Sequence, residues 1–368
     1  MTEESKLDSS SHSAESGATH NRLRDGYRKD VSRKLSRIWV SVVVLAVLTV
    51  ASLSIGSADV SPVETIRSLF QPLFPNSVRV SAVTTTIIWD LRLPRTMIGI
   101  LGGAGLAAAG VMLQGILKNP LASPYTLGIG SGAGFGAAIA ITTGIGAIGG
   151  SFAIAGNAFL FALIPAVVIY LLVHYKDATP ETMILAGIAM VYVFEAGVTL
   201  IQYFARPEDV EQIVFWTVGD LGRATGTQTV LVLIVLVVCL PLLYKMSWSL
   251  NAMLAGDQTA ASLGVDVERK RIQIMGLASI ITTVVISFTG SIAFVGLVAP
   301  HIGRIAVGTD HRYLLPGSCI LGAVLVLGSD IVARTVLAPI IIPVGVITSL
   351  LGGPLFLYLV LKRRKSYW

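Results

Sequence analysis

Charged side chains are scarce in this 368-residue chain: Asp, Glu, Lys and Arg together make up 13%. Soluble domains carry roughly a quarter, so a surface covered mainly by charge is excluded. Cysteine is scarcer still. Cys239 and Cys319 stand alone, each inside an apolar run, which argues against a disulfide framework or a thiolate metal site. Several motifs are missing as well. There is no G-x-x-x-x-G-K-[ST] loop, no strict GxGxxG in the glycine-dense region, no HExxH, no GxSxG and no paired aspartates. An intramembrane hydrolase is therefore disfavoured, and any ATP used must be bound by another chain. What is present is apolar. Hydrophobic residues reach 54% and mean hydropathy is +0.77, values of a polytopic helical membrane protein. The net charge of +6 lies at the edges of apolar runs, so it reads as a topology signal rather than a nucleic-acid surface.

The one long polar stretch, residues 1–37, is rich in Ser, Lys and Arg and reads as a disordered cytoplasmic tail. It lacks the apolar core and cleavage site of a signal peptide. A membrane span needs about 20 apolar residues. Runs of that kind fall near 38–56, 96–117, 125–147, 152–175, 183–204, 228–246, 271–289, 291–308, 314–333 and 340–361. Ten spans place both termini on one side. The eighth is the weakest, because Pro300, His301 and Arg304 interrupt it. With the tail inside, most of the 27 Lys and Arg fall on the cytoplasmic side, and only Arg67, Arg79, Arg92, Arg95, Arg206, Arg223 and Arg334 fall outside.

The segment Leu91–Gly136 is the most informative. Glycines at 99, 102, 103, 105 and 110, and again from 128 to 136, permit close backbone approach between spans. Pro94 suits the first turn of a helix, so Arg92 and Arg95 flank that helix's N-terminus, where the macrodipole is already positive. Two cations there call for an anionic partner from outside the chain. The turn LKNPLASP (117–124) breaks the second and third spans, and irregular backbone at such depth is tolerated only beside protein or a watery cavity. A gate and a plain inter-helix turn both fit it.

Two loops are more than connectors. The outer one, 205–227, carries Glu208, Asp209 and Glu211 before GDLGRATG and predicts a short surface helix. The inner one, 247–271, predicts two short helices. Leu250, Met253 and Leu254 make an apolar ridge; after Gly256, Asp257 caps a second piece carrying Ala260, Ala261 and Leu263, which Gly264 ends. Such a hairpin suits a partner surface or lies on lipid. His301 lacks a second ligand at metal spacing and reads as structural, while His311 reads as solvated. Glu195, near the middle of the fifth span, costs roughly 2.5–3.5 kcal/mol on insertion scales. It is either a pathway residue or a neutral carboxyl bonded to a neighbouring helix.

LRLPR, LQGILKNPLASPYTLGIGSGAGFG, LAGDQTAASLGV, GSIAFVGLVAPHIGR, TDHRYLLPG, SDIVART and PVGVITSLLGGPLFLYLV occur in this order. Over residues 38–362 they closely resemble the iron-chelate/cobalamin (FecCD-type) permease subunits of ABC importers. The resemblance implies an all-α transmembrane permease domain of type II ABC importer architecture in the cell membrane, with two copies, or one copy and a paralogous permease, forming the pore. It implies a cytoplasmic ATPase subunit, an extracytoplasmic substrate-binding protein and no resident cofactor. The cargo implied is a metal chelate, ferric siderophore first, with haem and cobalamin as alternatives. Arg92, Arg95 and Arg334 resemble the family's docking arginines, Asn119 and Leu121 its inner gate, and residues 250–264 its ATPase-coupling helices. Glu195 belongs to no family motif. An ion-coupled secondary transporter built on Glu195 is the rival reading.

Overall fold

The structure, a computed structural model, describes residues 4–56, 60–71, 80–176 and 179–362. Arg79, Arg363, Arg364 and Lys365, four of the cations at span edges, lie outside the described residues. Helices account for the regular structure, and no strand occurs among the described residues. In chain order they are α1 (Glu4–Ser54), α2 (Pro62–Phe70), α3 (Ala82–Thr86), α4 (Leu93–Ile116), α5 (Ile129–Thr143), α6 (Ala153–Lys176), α7 (Pro180–Phe204), α8 (Pro207–Val218), α9 (Gly226–Lys245), α10 (Ser247–Leu254), α11 (Asp257–Ser262), α12 (Val267–Thr289), α13 (Val295–Val307), α14 (His311–Thr335) and α15 (Val344–Lys362). A π-helical turn, Ile87–Arg92, joins α3 to α4.

Seven helical segments are long and apolar enough to cross a membrane, and α5, α13 and α15 contribute three shorter apolar helices. These ten coincide with the ten apolar runs. Two of the shorter three have identifiable causes. α5 starts late because residues 117–128 are irregular, and α13 begins only after Phe294 turns through φ 67°. The expected interruption at Pro300 does not occur: α13 runs through it. Proline has no N–H to give the carbonyl four residues back. That carbonyl, of Gly296, instead accepts from Gln114 Nε2 at 3.3 Å, and Gln114 Oε1 in turn accepts from Arg304 at 2.6 Å.

α4 is the central helix, enclosed mainly by α14, α12 and α13. Its glycines set the spacing. A Cβ on Gly103 would lie 2.7 Å from the Gly322 carbonyl carbon of α14, and one on Gly110 would meet the Gly296 backbone of α13. Apolar association in lipid depends on this kind of contact, because chain and solvent are equally apolar. α1, α7 and α9 lie outermost, with Trp39, Val43, Leu185, Tyr192 and Val237 exposed along them.

α1 continues back from its apolar part through residues 24–37, with an Asp30–Lys34 ion pair of 2.7 Å, and Arg37 donates to the Ala306 carbonyl at 2.6 Å. An existing helix extends without a new nucleation cost, and an i,i+4 pair adds a little.

Candidate functional site

Three features lie along α4, which at 24 residues spans roughly 36 Å. An arginine cluster stands at its start, an irregular turn at its end, and a cavity lies beside that turn.

At the start, the cations that the dipole argument left without a partner find several inside the chain. Arg95 donates through Nε and Nη2 to Asp330 Oδ1 of α14 at 2.9 and 2.8 Å, and Asp220 lies 3.8 Å away. Arg334 Nε stands 3.0 Å from Asp330 Oδ2, an ion-pair contact outside hydrogen-bond alignment. Arg92 donates to the carbonyls of Leu53 and Ser54 at 2.8 and 2.7 Å, and Arg334 reaches Ile55 O at 2.7 Å and Ser52 Oγ at 2.9 Å. Two guanidiniums thus cover the last carbonyls of α1, where the helix dipole is negative. Asp330, fully buried, was missed in the sequence. Its signal was an acid four residues before Arg334 in an apolar span. The cluster still lines an open notch of 290 Å³ shared with Asp90 and Pro339, so its guanidiniums border solvent.

At the other end of α4, the 117–124 turn is held by its own polar groups. Lys118 takes φ 47°, Asn119 N–H donates to Gln114 O at 3.2 Å, and Asn119 Oδ1 accepts from Leu121 N–H at 2.8 Å. The Leu121 side chain is exposed. Beyond it, Tyr125 Oη donates to Ile292 O at 2.9 Å, tying this turn to the loop before α13.

A cavity of 830 Å³ opens beside the turn. Ser123, Thr126, Ser131, Tyr192, Thr199 and Glu195 contribute to its wall. Glu195 is exposed there, and its side chain bonds no neighbouring helix among the described residues.

The inner loop forms the expected pair of short helices, α10 and α11, with two corrections. Leu250 and Met253 are wholly buried against the bundle, Leu250 abutting Gly115 of α4. The free face is instead that of Leu254, half-buried, and Leu263, 69% exposed. Asp257 does not cap α11. Gly256, at φ 119°, occupies the cap, and Asp257 accepts from Lys118 at 2.9 Å and from Arg271 at 3.1 Å. Burial pushes the Asp257 carboxyl up, but Lys118 and Arg271 together outweigh this and hold it below its ordinary value. Gly264, at φ 82°, ends the piece as expected. His311 is buried rather than solvated: its Nδ1 lies 2.8 Å from Asn251 Oδ1, and Asn251 also donates to Asp310 at 2.8 Å. No cluster of metal-ligating side chains occurs among the described residues.

Ten apolar helices, small-residue seams and a cavity of mixed polar and apolar lining beside broken helices are the parts of a multi-pass membrane permease. The chain belongs to the FecCD transport family, which it matches over residues 44–362. It is 49% identical over 288 residues to a Methanocaldococcus jannaschii protein named as an ABC transporter permease, spanning 76% of this chain and 82% of that one. The hemin transport system permease HmuU of Yersinia pestis is 33% identical over 332 residues, 88% of this chain and 95% of that protein. The Fe(3+)-citrate import system permease YfmE of Bacillus subtilis is 35% identical over 329 residues, with coverages of 89% and 95%. A solved structure described as an inward-facing metal-chelate type ABC transporter superposes with a TM-score of 0.77 at 30% identity, covering 89% of this chain and 99% of that one. The chain is therefore a transporter subunit of the ABC type and not an enzyme.

Proposed function

We propose that this chain forms half of the pore of an ATP-driven importer of a metal chelate in the plasma membrane, with both termini cytoplasmic. A second copy completes the pore, an ATPase subunit sits under α10–α11, and a substrate-binding protein docks over the arginine notch. The observation that carries the reading is the cavity between α5, α7 and the loop before α13. Hydroxyls and one carboxylate share its wall with apolar side chains such as Ile188, Val191 and Phe294; it adjoins the 117–124 turn at Ser123 and holds no metal-ligating cluster among the described residues. Such a wall passes a solvated chelate without competing for its metal. Tight binding is left to the delivery protein.

A ferric siderophore ranks first as cargo, with haem or cobalamin as alternatives. Relatives named for hemin and for ferric citrate, at similar identity, support the chelate class and leave the choice within it to experiment. The decisive measurement reconstitutes the permease with its ATPase and binding protein. Uptake of a ferric siderophore, haem and cobalamin is then followed, omitting one component at a time. Uptake of one chelate that requires all three components is expected. Uptake by the permease alone would overturn the assignment.

A further inference from the structure

The turn and the inner hairpin are joined by one carboxylate. Asp257 opens α11 and accepts from Lys118 Nζ at 2.9 Å through Oδ1 and from Arg271 at 3.1 Å through Oδ2. Lys118 precedes Asn119 directly and is one of two non-glycine residues at positive φ among the described residues. That backbone is held by the capping bond from Asn119 N–H to Gln114 O at the end of α4. Arg271, only 10% exposed, belongs to α12, which packs against α4 and α6 and is the fixed side of the contact. The rest of the hairpin is held differently. α10 is anchored on α14 through Asn251 and on α4 through Leu250. Among the described residues, Asp257 is the sole side chain of α11 that hydrogen-bonds beyond the hairpin.

We propose that Lys118 and Asp257 are positioning residues that transmit the displacement of the α10–α11 hairpin to the turn at Asn119–Leu121. Arg271 is the stationary point against which Asp257 moves. This rests on reading the hairpin as the ATPase contact and the turn as the gate. A static surface ion pair would contribute little and would leave transport unchanged when removed. Two details go beyond a static pair. The carboxylate is shared between a cation on the turn and a cation on the bundle, so displacing α11 exchanges one contact for the other. Lys118 also sits at the left-handed end of α4, where Asn119 N–H closes onto Gln114 O at 3.2 Å, so a pull on its side chain acts directly on the residue from which Asn119 and Leu121 depart.

The test uses the complete importer in proteoliposomes, with chelate uptake and ATP hydrolysis measured in the same sample. Lys118→Met and Asp257→Asn are expected to retain the ATPase and most of its hydrolysis, while chelate moved per ATP falls by about tenfold, the usual scale of coupling between sites. The double variant should lose no more than either single one, and Lys118→Arg should restore the ratio. Lys118→Gly, which suits positive φ but lacks the ammonium, decides the matter if the other variants fail to insert. Unchanged chelate per ATP in these variants would overturn the linkage while leaving the importer reading intact. Loss of the ATPase itself from the variants would also overturn it, reducing Asp257 to a brace for the hairpin. Failure of the unaltered complex to transport with ATP would instead sink the importer reading on which the inference rests.

Discussion

Asp330 pairs with two of the arginines singled out in the sequence. It lies fully buried on α14 between Arg95 and Arg334, which come from different helices. Removing one partner of a buried ion pair costs about 3–5 kcal/mol, because the remaining charge loses its partner but stays desolvated. Asp330→Asn leaves two guanidiniums facing a neutral amide and is expected to lower the temperature at which the detergent-solubilised protein loses monodispersity. Arg95→Lys should fall between, since an ammonium cannot reproduce the two donors that meet Oδ1. Equal thermal stability in all three proteins would mean that the cluster does not hold α4 to α14. The same geometry bears on docking. Arg92 donates to the carbonyls that end α1, so Arg92→Gln, which removes the charge but keeps a donor there, paired with a check that the variant still elutes as folded protein, is the probe of charge on the binding protein's side. Weaker association with a flatter salt dependence is expected.

At the scale of elements, the inner hairpin is the surface most open to test. Its buried residues, Leu250 and Met253, fix it to the bundle, which leaves Leu254 and Leu263 to meet a partner. Replacing both with Asp places charge where an apolar face would be covered. The variant should insert and pair normally yet fail to co-purify with the ATPase; full co-purification would move the interface elsewhere. The anchor of α10 on α14 also has a pH signature. Burial pushes the Asp310 carboxyl up, but Arg312 and Asn251 pull it further the other way, to about 2. A carboxyl lowered in the folded state adds stability above its unfolded value, near 3.9, and loses it as pH falls through the folded one. Proteolytic nicking at residues 247–256 is therefore expected to be the same at about pH 5 and pH 8. Asp310→Asn should raise it at both.

For the whole molecule, span count was legible because a bilayer imposes a one-dimensional rule: about 20 apolar residues, with every backbone group bonded internally. Turn and hairpin boundaries were legible for local reasons, through Pro120, Gly256 and Gly264. Pairings across the chain were not. The Arg95–Asp330 contact joins residues 235 positions apart, and the inward turn of Leu250 depends on where α4 places Gly115. His311 looked solvated because nothing nearby in sequence reveals that Asn251 covers it.

Glu195 tests the whole assignment, since a secondary transporter would use it as its proton or cation site. It stands exposed on α7 in the cavity wall, where a proton- or cation-coupled carrier would place its coupling acid. In the proposed importer, ATP supplies the energy, which leaves Glu195 to shape the pathway or tie helices together. Glu195→Gln keeps size and hydrogen bonding while removing ionisation, so ATP-driven uptake should largely persist. A secondary transporter predicts the reverse: uptake on an ion gradient without ATP, abolished by that one substitution. Proteoliposomes containing all subunits, energised either by ATP alone or by an imposed pH gradient alone, separate the two. Uptake in the ATP arm for both proteins, with none in the gradient arm, is the expected result. Gradient-driven uptake that vanishes in the Gln variant would make Glu195 the coupling site, and ATP hydrolysis beneath the hairpin would no longer be the source of transport energy.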